Sequence, residues 1–395
     1  MLSGMRPTGR LHLGHYHGVL KNWVQLQHEY ECYFFVADWH ALTTEYESTQ
    51  FIEQHIFDTA VDWLAAGVNP GAATMFVQSR VPEHAELHLL LSMITPLSWL
   101  ERVPSYKDQQ AKLNDRDLAT YGFLGYPLLQ AADILVYRAG NVPVGADQVA
   151  HVELTREVAR RFNHIYGREP GFEEQAEAAV GKMGKKAGRL YSQLRRSYQE
   201  QGDAEALERA QALLGEQQNL SIGDRERLFG YLEGSGRIIL PEPQALLTEQ
   251  PKVPGLDGEK MSKSYQNTIQ LREHADEIEQ KIRTMKTDPA RVRRTDPGEP
   301  ENCPVFSLHQ IYSDEATCSW AAQGCRSAGI GCLDCKAPLI EAVVAEQNEM
   351  RERAKQFEDD PGLVQSILLE GSEKARDVAR ETLEDVRAAI GLSHK

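Results

Sequence analysis

The segment Ser3-Gly4-Met5-Arg6-Pro7-Thr8-Gly9-Arg10-Leu11-His12-Leu13-Gly14-His15 sets three glycines and two histidines between a short strand pattern and a helix. The helix is read from Tyr16, Val19, Leu20, Trp23 and Val24, which recur at the three- and four-residue spacing of one face. Such a turn can cradle phosphate. Backbone N–H groups at a helix start point outward with the positive end of the helix dipole, and glycines let a polyphosphate approach the main chain. His12 and His15, one turn apart, add donors. Paired histidines near a helix start also occur without a function, so the turn needs a context.

Working outward, Cys32-Tyr33-Phe34-Phe35-Val36 and Thr74-Met75-Phe76-Val77-Gln78 read as strands, and crossover helices are predicted over Ile52 to Ala66 and Gln148 to Phe162, ending before Asn163. The alternation predicts an α/β fold, a Rossmann-type doubly wound parallel sheet, over residues 1–172. From 173 to 247 the composition turns to Ala, Gln, Glu, Arg and Gly and predicts a mainly helical insertion, with helices over Arg189 to Gln201 and Ala204 to Leu214. Residues 248–273 return to the nucleotide fold, and 274–395 read as an all-helical C-terminal domain. Its last helix should start at Asp360-Pro361, carry Ala375, Val378, Ala379, Leu383, Val386 and Ile390 on one face, and stop at Gly391.

With 395 residues, 41% of them hydrophobic and 26% charged, the chain has room for two or three globular domains. The stretch from Leu87 to Leu100 is interrupted by polar residues and is shorter than the roughly 20 residues a membrane helix requires, so no membrane association is expected. The first residues carry no secretory pattern; a cytoplasmic protein without disulfides is expected. The net charge of −15 argues against holding nucleic acid by overall field, so any RNA site must be a local patch. Lys182, Lys185, Lys186, Arg189, Arg195 and Arg196 form one candidate, and Lys281, Arg283, Lys286, Arg291, Arg293 and Arg294 another; each reads equally well as a solvated helix face.

A second charged segment, Gly258-Glu259-Lys260-Met261-Ser262-Lys263-Ser264, spaces two lysines to meet one anion. Alone it is a surface loop. Together, His12-Leu13-Gly14-His15 and Lys260-Met261-Ser262-Lys263-Ser264 resemble the two signatures of class I aminoacyl-tRNA synthetases in order and separation. Three segments between them, Tyr126-Pro127-Leu128-Leu129-Gln130-Ala131-Ala132-Asp133-Ile134-Leu135, Val142-Pro143-Val144-Gly145-Ala146-Asp147-Gln148 and His151-Val152-Glu153-Leu154-Thr155-Arg156, look like the tryptophanyl family, as does Ala37-Asp38-Trp39-His40-Ala41-Leu42-Thr43.

The resemblance implies a ligase that forms tryptophanyl-adenylate from L-tryptophan and ATP with Mg²⁺, then charges tRNA(Trp), as a homodimer with one transfer RNA across both subunits. It implies catalysis by His12, His15, Lys260 and Lys263 and an ATP site of Arg6, Thr8, Gly14, His15, Gly145, Asp147, Lys260, Met261, Ser262 and Lys263. The implied tryptophan site comprises Leu2, Gly4, His40, Tyr126, Gln130, Asp133, Val142, Val144 and Gln148, with Tyr126 and Gln148 on the ammonium and Asp133 on the indole N–H. An indole offers one donor and no acceptor, so a buried carboxylate suits it, and an amino acid leaving that acceptor unpaired is penalised. The alternative for Asp133 is a surface or capping role. Arg6 replaces a glutamine common in the family, His15 an asparagine and Gln130 a methionine. Tyrosyl-tRNA synthetase is the nearest rival; another nucleotidyltransferase or a silent RNA-binding relative explains less, because both signatures are intact and the helical C-terminal region is long.

Of six cysteines, Cys303, Cys325, Cys332 and Cys335 are separated by 21, 6 and 2 residues. In a chain without disulfides this grouping points to thiolate ligation, and it resembles the iron–sulfur motif of some bacterial tryptophanyl-tRNA synthetases. A [4Fe-4S] cluster, a Zn²⁺ ion on the same ligands, and free thiols stay open.

Overall fold

The computed structural model describes residues 1–103, 120–167, 171–234, 236–247 and 251–393, apart from the side chains of Asp147 and Ser264. The chain forms two compact units. The first holds Met1, Ser3–Arg80 and Leu247–Lys374; the second holds Leu2, Val81–Leu246 and Ala375–Lys395.

In the first unit, β1 (Leu2–Met5), β2 (Cys32–Val36) and β3 (Ala73–Val77) make a sheet in the order β1-β2-β3. β2 and β3 are parallel, in register from Cys32 opposite Ala73 to Val36 opposite Val77. Tyr33 N donates to Met1 O and Ala37 N to Met5 O, so β1 advances in the same direction. Every residue of β2 and β3 is buried, which is why both read as unbroken apolar runs rather than alternating ones. The helix Ile52–Ala66 buries its last two turns and closes at Gly67, whose φ of 108° only glycine adopts freely. Trp23 stacks on Phe34 at 4.2 Å and meets Trp63 edge-on at 5.1 Å.

Helices Ala275–Thr284, Pro304–Tyr312, Glu315–Arg326 and Cys332–Asp359 complete this unit together with the first half of Pro361–Ala389. That last helix lies flush on β3. A Cβ at Gly371 would sit 1.8 Å from Met75 O, so no larger residue fits there. Asp360 Oδ1 accepts from Leu363 N at 3.1 Å, Ala375, Ala379, Leu383 and Val386 are buried while Val378 and Ile390 are half-buried, and Gly391 has φ 79°.

The second unit contains helices Glu83–Ser92, Tyr121–Val136 and Val149–Tyr166 and a separate two-stranded sheet of β4 (Asn141–Val144) and β5 (Gln244–Leu247). Residues 172–233 fold as helices Phe172–Lys182, Gly184–Gln201, Ala204–Glu216 and Ile222–Glu233 around their own core, in which Tyr191, Leu214, Leu228 and Leu232 are fully buried. The helix expected to stop before Asn163 runs on to Tyr166. Asn163 is instead buried inside it: Oδ1 accepts from Ile239 N and Leu240 N, and Nδ2 donates to Leu240 O at 2.7 Å. A residue that reads as a helix terminator here serves as the hydrogen-bonding edge for an extended segment. Among the described residues no helix is long and apolar enough to cross a membrane.

Candidate active site

The two charged segments singled out in the sequence meet in the first unit through their main chains. Leu13 N donates to Ile269 O at 3.1 Å and Leu271 N to Leu11 O at 2.8 Å, so the strip Leu11–Leu13 pairs with the strip that follows the lysine loop. Leu11 and Leu13 are buried, which anchors the splice in the apolar core. Under it lies Asp62, fully buried: Oδ2 accepts from Leu11 N at 2.7 Å and Oδ1 from Arg272 Nε at 2.6 Å. Burial pushes the Asp62 carboxyl up, and the Arg272 guanidinium opposes that shift. Arg272 has φ 62° and receives a second carboxylate, Glu358.

At the helix start, His12 and His15 cap the turn reciprocally. Gly14 N donates to His12 Nδ1 at 3.1 Å, and His12 N donates to His15 Nδ1 at 3.2 Å, with the rings 3.8 Å apart. Because each Nδ1 accepts, each neutral ring carries its proton on Nε2. Burial first, then the charges of Lys263 and Lys260, pushes His12 down to about 4. His15 lies well below the usual imidazole range, from burial and then from His12 and the two lysines. The pair therefore presents two neutral N–H donors near pH 7. A Cβ at Gly14 would stand 2.9 Å from the His12 ring, so the glycine keeps that ring in place.

Lys263 Nζ donates to Gly9 O at 2.7 Å, Thr8 O at 3.1 Å and Thr8 Oγ1 at 3.4 Å, directly on the glycine turn. Burial lowers the ammonium to about 8, against which Asp62 and Asp58 pull upward. Lys260 is exposed, Met261 is buried, and the Met261 Cβ is 3.8 Å from where a Cβ on Gly14 would be. The loop is braced by Asn267, which sequence reasoning missed. Its Oδ1 accepts from Ser262 N at 2.8 Å, while Nδ2 donates to Asp257 Oδ1 and to Lys260 O. Arg6 hydrogen-bonds Thr44 Oγ1.

The residues expected on tryptophan are divided between the units. In the first, a Cβ on Gly4 would meet the Phe35 ring at 2.6 Å, and His40 is buried on the helix Asp38–Glu45. Leu2 is counted with the second unit and is buried. There, Tyr126, Gln130 and Asp133 follow one another at spacings of four and three along Tyr121–Val136 and so share a face. Val142 and Val144 are the two buried positions of β4. Gly145 leads into the short turn Ala146–Gln148; the side chain of Asp147 lies outside the described residues.

Two buried histidines, to which the sequence assigns no role, hold this set. His151 Nδ1 bonds Gln148 Oε1 at 2.7 Å, and its Nε2 bonds Tyr126 Oη at 3.3 Å. His84 Nδ1 bonds Asp133 Oδ1 at 2.6 Å, and its Nε2 bonds Tyr137 Oη at 2.7 Å. Asp133 is 1% exposed, which excludes the surface alternative. A lone histidine in an apolar helix carries no sequence signal; only its partners reveal it.

Among the described residues no group of three or more His, Cys, Asp or Glu side chains is arranged to hold a metal ion. Cys303, Cys325, Cys332 and Cys335 are nevertheless neighbours. Burial pushes the Cys335 thiol up to about 12, and Cys303, Cys325 and Cys332 add to the shift. Arg291, buried, hydrogen-bonds Cys325, and buried Lys336 donates to Arg283 O and Met285 O.

Residues 1–190 and 217–346 match the family model described as tRNA synthetases class I (W and Y). A tryptophan–tRNA ligase from Ralstonia nicotianae is 66% identical over 394 residues, spanning 100% of this chain and 98% of its own length. Another from Thermotoga maritima is 44% identical, covering 99% of both. Among solved structures, tryptophanyl-tRNA synthetase from Campylobacter jejuni complexed with ADP and tryptophan superposes with a TM-score of 0.73 at 30% identity, covering 99% of each chain.

Proposed function

Since this chain belongs to the class I tRNA synthetases, and within them to the tryptophan–tRNA ligases, it activates L-tryptophan with ATP and esterifies tRNA(Trp), and we propose how its residues divide that work. The observation that carries the proposal is the splice of the two signature segments, with Lys263 seated on the Thr8 and Gly9 carbonyls.

In the activation step a tryptophan carboxylate oxygen attacks the α-phosphorus of ATP, and the bond from that phosphorus to the leaving pyrophosphate oxygen breaks. The nucleophile is already ionised, so no general base is needed; acceleration rests on alignment and on stabilising charge as it moves outward. His12 and His15 donate Nε2–H to phosphate oxygens without bringing a charge that must be desolvated. Lys263 supplies the cation on the glycine turn, and exposed Lys260 supplies the second as the loop closes over the departing pyrophosphate. Mg²⁺ arrives with the ATP phosphates. A ribose hydroxyl of the terminal adenosine then attacks the activated carbonyl and releases AMP.

Asp133 accepts the indole N–H in this proposal, and Tyr126 and Gln148 accept from the substrate ammonium. Support for the latter is the His151 relay: the ring's Nδ1–H satisfies Gln148 Oε1 and its Nε2 takes the Tyr126 hydroxyl hydrogen, leaving both oxygens as acceptors toward a cation. Exchange of labelled pyrophosphate into ATP, run with tryptophan and with tyrosine, tests the assignment. Tryptophan should drive it; tyrosine driving it as fast would overturn the role given to Asp133.

Two finer points complete the proposal. The chain works as a homodimer, a reading that rests on the family resemblance and is checked by sedimentation at equilibrium. The four cysteines hold a [4Fe-4S] cluster. Buried Arg291 and Lys336 offset the negative charge that four thiolates would bring. When bound, the cluster would tie together the start of Cys332–Asp359, the end of Glu315–Arg326 and the segment before Pro304. Anaerobically purified protein should contain iron, sulfide and visible absorbance that Cys332→Ser removes; unchanged absorbance in the variant would dismiss the cluster.

A further inference from the structure

The carboxylate assigned to the indole is already engaged from within the fold. Asp133 Oδ1 is 2.6 Å from His84 Nδ1, and His84 Nε2 is 2.7 Å from Tyr137 Oη. His84 comes from the helix Glu83–Ser92, whereas Asp133 lies on Tyr121–Val136 and Tyr137 caps that helix one turn later. A single imidazole thus spans two side chains on one face of a neighbouring helix, with its ring edge-on to Tyr137 at 5.3 Å. His84 has no exposed surface and Tyr137 only 8%, so solvent does not supply these hydrogen bonds.

The direction of each bond follows from chemistry. An ionised carboxylate only accepts, so Nδ1 carries the proton given to Asp133, and in the neutral ring Nε2 takes the Tyr137 hydroxyl hydrogen. The chain of donation runs from Tyr137 through His84 to Asp133. Its effect on Asp133 is twofold. A charge-assisted bond keeps the buried carboxyl in its ionised, accepting form, and it removes the broad rotation about the last side-chain torsion that a carboxylate otherwise has. Both properties matter to a group that must reject any amino acid unable to donate, since a protonated carboxyl gains an O–H donor of its own and a rotating one offers no fixed acceptor.

We infer that His84, oriented by Tyr137, is a positioning residue for amino-acid selection: it fixes Asp133 as the acceptor that recognises the indole N–H. This rests on the reading of Asp133 given above. The competing explanation is a buried pin between two helices, which would serve every substrate alike.

The two are separated by comparing tryptophan with 3-benzothienylalanine, which keeps the shape but replaces the indole N–H with sulfur. Pyrophosphate exchange is measured on the full-length protein. In His84→Leu, kcat/KM for tryptophan should fall about ten- to a hundredfold, the worth of a hydrogen bond to a charged group, while the value for the analogue changes less than about threefold. His84→Asn, which can keep a donor near the Nδ1 position, should recover part of the preference, and Tyr137→Phe should lose about threefold. An equal fall for both substrates overturns the inference. Should His84→Leu fail to fold, Tyr137→Phe decides: an unchanged preference ratio rejects the idea. Asp133→Asn runs alongside. If its ratio is also unmoved, the reading of Asp133 has failed; if only Asp133→Asn shifts the ratio, His84 alone has lost its role.

Discussion

The glycine turn of the first unit and the helix Tyr121–Val136 of the second hold their functional groups by different means. At the turn, main-chain bonds do most of the positioning: Leu11 and Leu13 pair with Ile269 and Leu271, Lys263 sits on two carbonyls, and both histidine rings are fixed by backbone N–H groups. On the helix, side chain holds side chain, as in Tyr126 with His151 and Asp133 with His84. Backbone placement suits chemistry shared by every substrate of a phosphate-handling turn. Side-chain placement suits selection, because one substitution changes a preference without moving the scaffold.

The main-chain splice depends most on the carboxylate beneath it. Asp62→Ala leaves the Arg272 guanidinium, itself only 5% exposed, without one of its two carboxylates and Leu11 N without an acceptor. The loss should be about 3–5 kcal/mol, the range for breaking a buried ion pair. Urea unfolding reads it directly. A loss under about 1 kcal/mol would mean the splice holds without its carboxylate.

A somewhat smaller effect is expected from Lys263→Ala, which removes a cation but leaves the backbone pairing intact. Adenylate formation should slow about 10²- to 10³-fold, the usual scale for deleting one transition-state donor, with unchanged tryptophan binding. A matching loss of tryptophan affinity would show that the turn and the selector helix are not separable in the way proposed.

How far these regions could be read in the sequence follows the same division. The turn, the lysine loop, β2, the helix Ile52–Ala66 and the last helix were legible because glycine, capping residues and apolar periodicity act locally. Asp62, Asn267, His84 and His151 were not. Each is a single polar residue whose meaning depends on a partner between 3 and 210 positions away. Asn163 misled for the same reason, since its partners, Ile239 and Leu240, lie on a segment that returns after the four insertion helices. The cysteines were legible as a group, but their spacing alone did not say how their thiols are arranged in the fold.

The titrating groups of the turn give a milder test. Lys263 is lowered to about 8 by burial, so the free enzyme should lose kcat/KM for ATP as pH rises through about 8, by about tenfold one unit beyond. Lys263→Arg should shift that limb out of range. His12 behaves in the opposite part of the scale. Its folded value of about 4 lies below the ordinary imidazole value of 6.5, so between those values the unfolded chain binds more protons than the folded one. Its contribution is therefore present above about 6.5 and is lost as pH falls toward 4, and His12→Gln should flatten the decline in melting temperature across that window. A falling limb of activity near pH 6.5 would show that the rings act as cations, against the neutral-donor reading.

On the helix side, His151 has a weaker hold than Asp62 or Lys263. His151→Leu removes the donor to Gln148 and the acceptor for Tyr126 while leaving both of those residues in place. Freed of the relay, the Tyr126 hydroxyl can turn its hydrogen toward the substrate ammonium and Gln148 can rotate its amide, so each offers a donor where a cation needs an acceptor. Tryptophan affinity should fall about two- to tenfold, the range for neutral hydrogen bonds. Indole-3-propionate, which is tryptophan without its ammonium, should bind the variant and the parent protein alike. Calorimetric titration of both ligands separates the outcomes. A parallel loss for both would mean that His151 shapes the pocket as a whole, and the contrast between a main-chain turn and independent side-chain selectors would then hold for Asp133 alone.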